Sequence, residues 1–148
     1  MEAELVRTFR FEAAHALPNV PEGHKCRRLH GHSYRVDIHV AGPIDPHSGM
    51  VMDFGRIRDA VEPILKELDH RWLNEIPGLQ NATSELVASY LWDRVAPALP
   101  GLCAVEVWES DTSRCIYRGL LAAKAQEAGR DTRDAGDRRK RESGGRGR

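Results

Sequence analysis

The sequence is short of aromatic residues, with three Phe, three Trp and three Tyr in 148 positions, so its core must be built mainly from aliphatic side chains. Cysteine is scarce as well. Cys26, Cys103 and Cys115 are an odd set at irregular spacing, which does not make a disulfide framework. No basic-then-apolar leader precedes Leu5, and together with the few cysteines this leads to the expectation of a reducing, cytoplasmic compartment. No apolar run approaches the roughly 20 residues that a membrane-crossing helix needs. The formal net charge is zero, so the chain as a whole advertises neither a nucleic acid nor a membrane partner.

Charge is nevertheless unevenly placed. Residues 121–148 hold nine Lys or Arg and five Asp or Glu, leaving thirteen basic and seventeen acidic residues for 1–120. From Ala123 onward there is no Val, Ile, Leu or aromatic residue, too little apolar surface to offset the entropy of ordering. A disordered, charged tail is therefore expected over 121–148. The 41% apolar content then serves one domain with a single core over 1–120.

That body alternates between two periods. In "LVRTFRFEAAH", Leu5, Phe9, Phe11, Ala13 and His15 share one parity, broken by Arg7, as on a strand with one apolar face. "LPNVPEGHKC" reads as a loop. "HGHSYRVDIHV" alternates more cleanly: His30, His32, Tyr34, Val36, Ile38 and Val40 face one way and Ser33, Arg35, Asp37 and His39 the other. After a turn at "GPIDPHSG", Ile57, Val61, Ile64, Leu65 and Leu68 recur at helical spacing with Asp53 able to cap, and Pro63 predicts a kink or restart. Asn81, Thr83 or Ser84 can open a second helix that runs to Pro97. "CAVEVWE" and "RCIYRGL" read as strands. The order ββααββ predicts an α+β domain, a four-stranded antiparallel sheet with both helices on one face. Two exposed edges make oligomerisation the expected remedy.

The stretch "HKCRRLHGHSYRV" concentrates the chemistry. His30 and His32, two apart on a strand, leave the same face beside an apolar wall, where unpartnered imidazoles are costly. His15 ends the neighbouring strand on its apolar parity, so three nitrogens can converge if the two strands pair antiparallel. Three neutral imidazoles with one open position are a catalytic zinc site. Cys26 can close that site as a fourth, structural ligand, or stand beside it as a free thiol among Lys25, Arg27 and Arg28, which favour the thiolate. In "LDHRWLN", Asp69 can orient His70 for proton relay, or the two can be a helix C-terminal cap or an exposed pair. Glu109 shares the parity of Val105 and Val107, so its carboxylate either arrives at a dry strand end in need of donors or is an ordinary exposed strand-end glutamate. His24, His39 and His47 lie in loops or on the polar face.

In order along the chain, "FEAAH", "PEGHKCRRLHGHSY", "DPHSGMVMDF", "LDHRWLN", "NATSE" and "VWES" resemble the 6-pyruvoyl-tetrahydropterin synthase superfamily over about Leu5 to Gly119. Its 6-carboxytetrahydropterin synthase branch, of queuosine biosynthesis, is the closer match, because the pyruvoyl branch places its cysteine further upstream of the histidines. The resemblance implies zinc on His15, His30 and His32, a proton-transfer triad of Cys26, Asp69 and His70, and a pterin anchored by Glu109. It also implies the tunnelling fold, whose subunits pair edges into a barrel, a homohexamer with active sites at subunit interfaces. The implied substrate is a small molecule, 7,8-dihydroneopterin triphosphate, with Lys25, Arg27 and Arg28 as candidate triphosphate neighbours. Its implied products are 6-carboxytetrahydropterin, acetaldehyde and triphosphate. Ala82 stands where the family commonly has proline, and Ser110 where threonine usually follows the glutamate. The alternatives are a 6-pyruvoyl synthase, or a non-catalytic zinc-stabilised module whose basic tail binds nucleic acid, a partner that the enzyme reading does not expect.

Overall fold

The computed structural model describes residues 1–119. The charged tail expected at 121–148 lies outside them. Two 14-residue strands, β1 (Glu2–His15) and β2 (His30–Pro43), form an antiparallel hairpin in unbroken register from Glu2 opposite Pro43 to His15 opposite His30. Helix α1 (Phe54–Leu68), strand β3 (Arg71–Trp72), helix α2 (Ser84–Val95) and strands β4 (Leu102–Ser110) and β5 (Ser113–Tyr117) follow among the described residues.

The sheet has five strands in the order β3-β1-β2-β4-β5. This corrects the expectation of four antiparallel strands. β3 lies parallel to β1, with Ala13 opposite Arg71 and Ala14 opposite Trp72, so the sheet is mixed. Two residues carry no periodicity, and β3 exists because the chain leaving α1 is pulled against the end of β1.

One parity of each long strand builds the core. Phe11, Ala13, Tyr34, Val36, Ile38, Val40, Val105 and Val107 pack with Ile57, Val61, Leu65 and Leu68 of α1 and Val87, Ala88, Leu91 and Val95 of α2. Both helices therefore cover the same sheet face, as the order of the elements predicted. Each helix starts on a side-chain cap: Asp53 accepts from the Gly55 amide and Thr83 from the Leu86 amide. Pro63 neither breaks nor restarts α1. It sits on the exposed side of the helix, where the carbonyl it leaves unpaired can be solvated.

The opposite sheet face is polar but not open throughout. Asp37, 3% exposed, accepts from Thr8 Oγ1 (2.6 Å), Arg35 Nη2 (2.6 Å) and Trp108 Nε1 (3.1 Å). Burial alone would raise its pKa, but these donors outweigh burial and hold the carboxyl below its usual 3.8.

Ionised Asp37 contributes stability above that ordinary value, and the contribution is lost as pH falls through the lower folded value. Urea unfolding at a series of pH values should show stability declining below about pH 4. Asp37→Asn should remove this part of the decline while lowering stability at pH 7. A second prediction concerns Gly101, at φ +83°, where an added Cβ would lie 2.5 Å from the Ala41 carbonyl oxygen. Gly101→Ala combines a disfavoured backbone with a main-chain clash and should cost about 2 kcal/mol or more of unfolding free energy.

Candidate metal centre and active site

The hairpin register sets the first three groups. His15 lies directly opposite His30, and His32 opposite Ala13 one step along, so all three side chains leave one sheet face. Their Nε2 atoms converge: His15 Nε2 is 3.0 Å from that of His30 and 3.1 Å from that of His32. The far nitrogens are engaged elsewhere. His15 Nδ1 lies 2.7 Å from the Ala82 carbonyl, and His30 Nδ1 2.7 Å from the Arg28 carbonyl.

A carbonyl only accepts, so each of these Nδ1 atoms carries the ring proton and turns a bare Nε2 lone pair inward. Lone pairs about 3 Å apart repel unless a cation lies between them. Tetrahedral zinc at about 2.0–2.1 Å from each nitrogen asks for nitrogens about 3.3 Å apart, close to the observed spacing. The donor set therefore fits a divalent metal, and it is the only such cluster among the described residues. Burial pushes the His15 imidazole below its ordinary range, and His30 and His32 act the same way against the upward pull of the Ala82 carbonyl and Glu109. His15 is thereby kept in the neutral form that a metal requires.

Cys26 reaches this place through the loop after β1. The Leu17 amide donates to the Cys26 carbonyl (2.8 Å), folding the loop back over the end of the hairpin. The turn carrying the thiol, Lys25–Arg27, is capped by His24, whose Nδ1 accepts from the Cys26 amide (3.1 Å). His24 had no distinguishing feature in the sequence beyond its place two residues ahead of the thiol. A cavity of about 600 Å³ is lined by His15, His30, His32, Cys26 and Glu109, with Lys25 and Arg28 also on its wall. Arg27 is turned aside to the Val20 carbonyl (2.9 Å).

Asp69 and His70 do not line that cavity. They sit where α1 ends, and their turn is docked on β1 in both directions: the Glu12 amide donates to Asp69 Oδ1 (2.9 Å), and the His70 amide to the Glu12 carbonyl (2.6 Å). Asp69 Oδ2 lies 2.9 Å from His70 Nδ1, and the Glu12 amide together with His70 holds the Asp69 carboxyl below its usual range. His70 has φ +57°, an uncommon conformation for a non-glycine residue, and is the only described one with positive φ. Its ring is 77% exposed and lines a second cleft of about 530 Å³ with Glu12, Ser33, Arg71, Trp72 and His32, the last shared with the first cavity. The chain thus assembles imidazoles, thiol and carboxylate in one cavity, and presents His70 in a second that shares His32 with the first.

The family described as 6-pyruvoyl tetrahydropterin synthase matches residues 4–120. The chain belongs to that family. A 6-carboxy-5,6,7,8-tetrahydropterin synthase of Synechocystis sp. is 44% identical over 119 residues, covering 76% of this chain and 91% of the relative. The 6-pyruvoyl tetrahydrobiopterin synthase of Homo sapiens is 34% identical over 134 residues, covering 80% and 92%. Among solved structures, the 6-pyruvoyl tetrahydropterin synthase of Caenorhabditis elegans superposes with a TM-score of 0.74 at 27% identity, covering 80% of this chain and 96% of that one. The chain therefore shares its overall fold with a solved member of the family. No helix among the described residues is long and apolar enough to cross a membrane.

The geometry predicts tight uptake of about one zinc ion per chain, lost in His15→Ala and measurable by competition with a chromophoric chelator. Because three imidazoles suffice, Cys26 should remain open to alkylation in the zinc-loaded protein, with the modified residue located by mass spectrometry. Protection of Cys26 on zinc loading would mean that sulfur closes the site.

Proposed function

We propose that this chain is a zinc-dependent 6-carboxytetrahydropterin synthase, converting 7,8-dihydroneopterin triphosphate and water to 6-carboxytetrahydropterin, acetaldehyde and triphosphate in the queuosine pathway. The observation that carries the reading is one cavity lined by three converging imidazoles, a thiol and a carboxylate at a strand end. The 44% identity to a synthase of this name favours the same branch.

Each residue has a role set by its chemistry. Glu109 accepts the adjacent N–H donors on the 2-amino-pyrimidinone edge of the pterin, which fixes the ring and answers the carboxylate's charge. His15, His30 and His32 hold the metal. Zinc, when bound, acts as a Lewis acid that polarises the side-chain hydroxyls of the substrate and makes neighbouring C–H protons more acidic. Cys26 as thiolate removes such a proton, and His70, oriented by Asp69, returns one. Lys25 and Arg28 are placed to meet the triphosphate, whereas Arg27 is committed to the loop.

Cys26 and His70 line different cavities that share only His32, and in this reading a second copy brings its Asp–His pair to the thiol. The sheet leaves room for one. Among the described residues, the outer edge of β1 has no strand beside it beyond the backbone pairing near Glu12, Ala13 and Ala14, and β5 forms the opposite edge. Pairing these edges between copies would cover both of them, as in a homohexamer with active sites at the interfaces. A reducing cytoplasmic setting suits a working thiol, and no disulfide joins the cysteines among the described residues.

Turnover of 7,8-dihydroneopterin triphosphate should release acetaldehyde, detectable by a coupled dehydrogenase. Cys26→Ala and His70→Ala should each lower kcat by about 100-fold or more, while Glu109→Gln should act chiefly through KM. Mixing the two inactive variants under subunit exchange should restore activity, because some interfaces then combine an intact thiol with an intact His70. Triphosphate release without acetaldehyde would instead favour a 6-pyruvoyl synthase, the reading supported by the human relative.

A further inference from the structure

The most enclosed of the three imidazoles is His15, 1% exposed. Two oxygens approach its Nδ1: the Ala82 carbonyl at 2.7 Å and the Tyr34 hydroxyl at 3.1 Å. The carbonyl fixes the proton on Nδ1, so the hydroxyl oxygen meets that N–H as a second acceptor. Tyr34 is itself fully buried and lies parallel to Phe11, with ring centroids 4.8 Å apart and planes 6° apart. It also packs edge-on against His15 at 5.9 Å and His32 at 5.4 Å. Burial raises its pKa, with the charge of Glu109 adding to the effect, so the group stays a neutral phenol.

We infer that Tyr34 is a positioning residue of the metal centre: its hydroxyl oxygen shares the His15 Nδ1 proton with Ala82 and so keeps the Nε2 lone pair aimed at the meeting point of the three histidines. This rests on the metal reading given above. Metal ligation through Nε2 makes the Nδ1 proton more acidic and its hydrogen bonds stronger, so the second acceptor contributes more to the loaded state than to the metal-free one. The position of the ring is set by the Phe11 stack, which Tyr34→Phe retains.

The test uses the full-length protein and its Tyr34→Phe variant, each titrated with zinc against a chromophoric chelator and melted with and without zinc. Zinc affinity should fall about tenfold in the variant. The zinc-induced rise in melting temperature should shrink, while the metal-free melting temperature changes little. Equal zinc affinity in the two proteins overturns the inference, and so does a variant destabilised as much without zinc as with it, since that is a packing effect. In the zinc-loaded wild type, NMR should find a slowly exchanging His15 Nδ1 proton with an Overhauser contact to the Tyr34 ring; its absence also counts against the inference. Failure of the underlying centre reads differently, as zinc uptake that is undiminished in His15→Ala.

Discussion

The antiparallel pairing of β1 with β2 governs the rest of this molecule. Because the register runs unbroken to His15 opposite His30, the hairpin delivers three imidazoles to one face at its open end. A slip of one residue would turn either strand's apolar set, and its histidines, to the other side. The same register puts Phe11 opposite Tyr34 and Ala13 opposite His32, so the apolar wall that excludes water runs directly into the imidazole cluster. Core and candidate site are two stretches of one ladder, and burying the first orients the second.

Around that ladder, backbone carbonyls do much of the aiming. Ala82, at the entry to α2, holds His15, and Arg28, at the end of the Cys26 turn, holds His30. Loop conformation and ligand orientation are therefore coupled. Asn74 adds a further clip, bonding both the amide and the carbonyl of Ala16 and the carbonyl of Gln80, which ties the residue after His15 to the segment leading into Ala82. None of these contacts involves a group that would stand out by its chemistry alone.

The Asp69–His70 pair follows a different logic. It is exposed, strained at one backbone angle, and anchored to β1 at Glu12, three residues from His15 along the same strand. A well-held yet exposed imidazole suits a group completed from outside the chain. The edges of the sheet, unpaired over most of their length among the described residues, are where the proposed pairing of copies would occur. In this reading fold and assembly share one physical cause, the unsatisfied backbone at the sheet's margins.

The sequence by itself determined the local rules. Alternation from His30 to Val40 named the buried face, the apolar spacing from Ile57 to Leu68 named a helix, and the converging parity of His15, His30 and His32 named a candidate ligand set. These are short-range effects of side-chain direction and hydrophobic period. Tertiary structure alone decided the parallel placement of β3, the tolerance of Pro63 inside α1, the turning of Arg27 away from the cavity while Arg28 faces it, and the meeting of His15 with Ala82 and Tyr34. Each of those depends on which distant segment arrives alongside. Loop path and packing set that arrival, and neither leaves a periodic trace in the order of the residues.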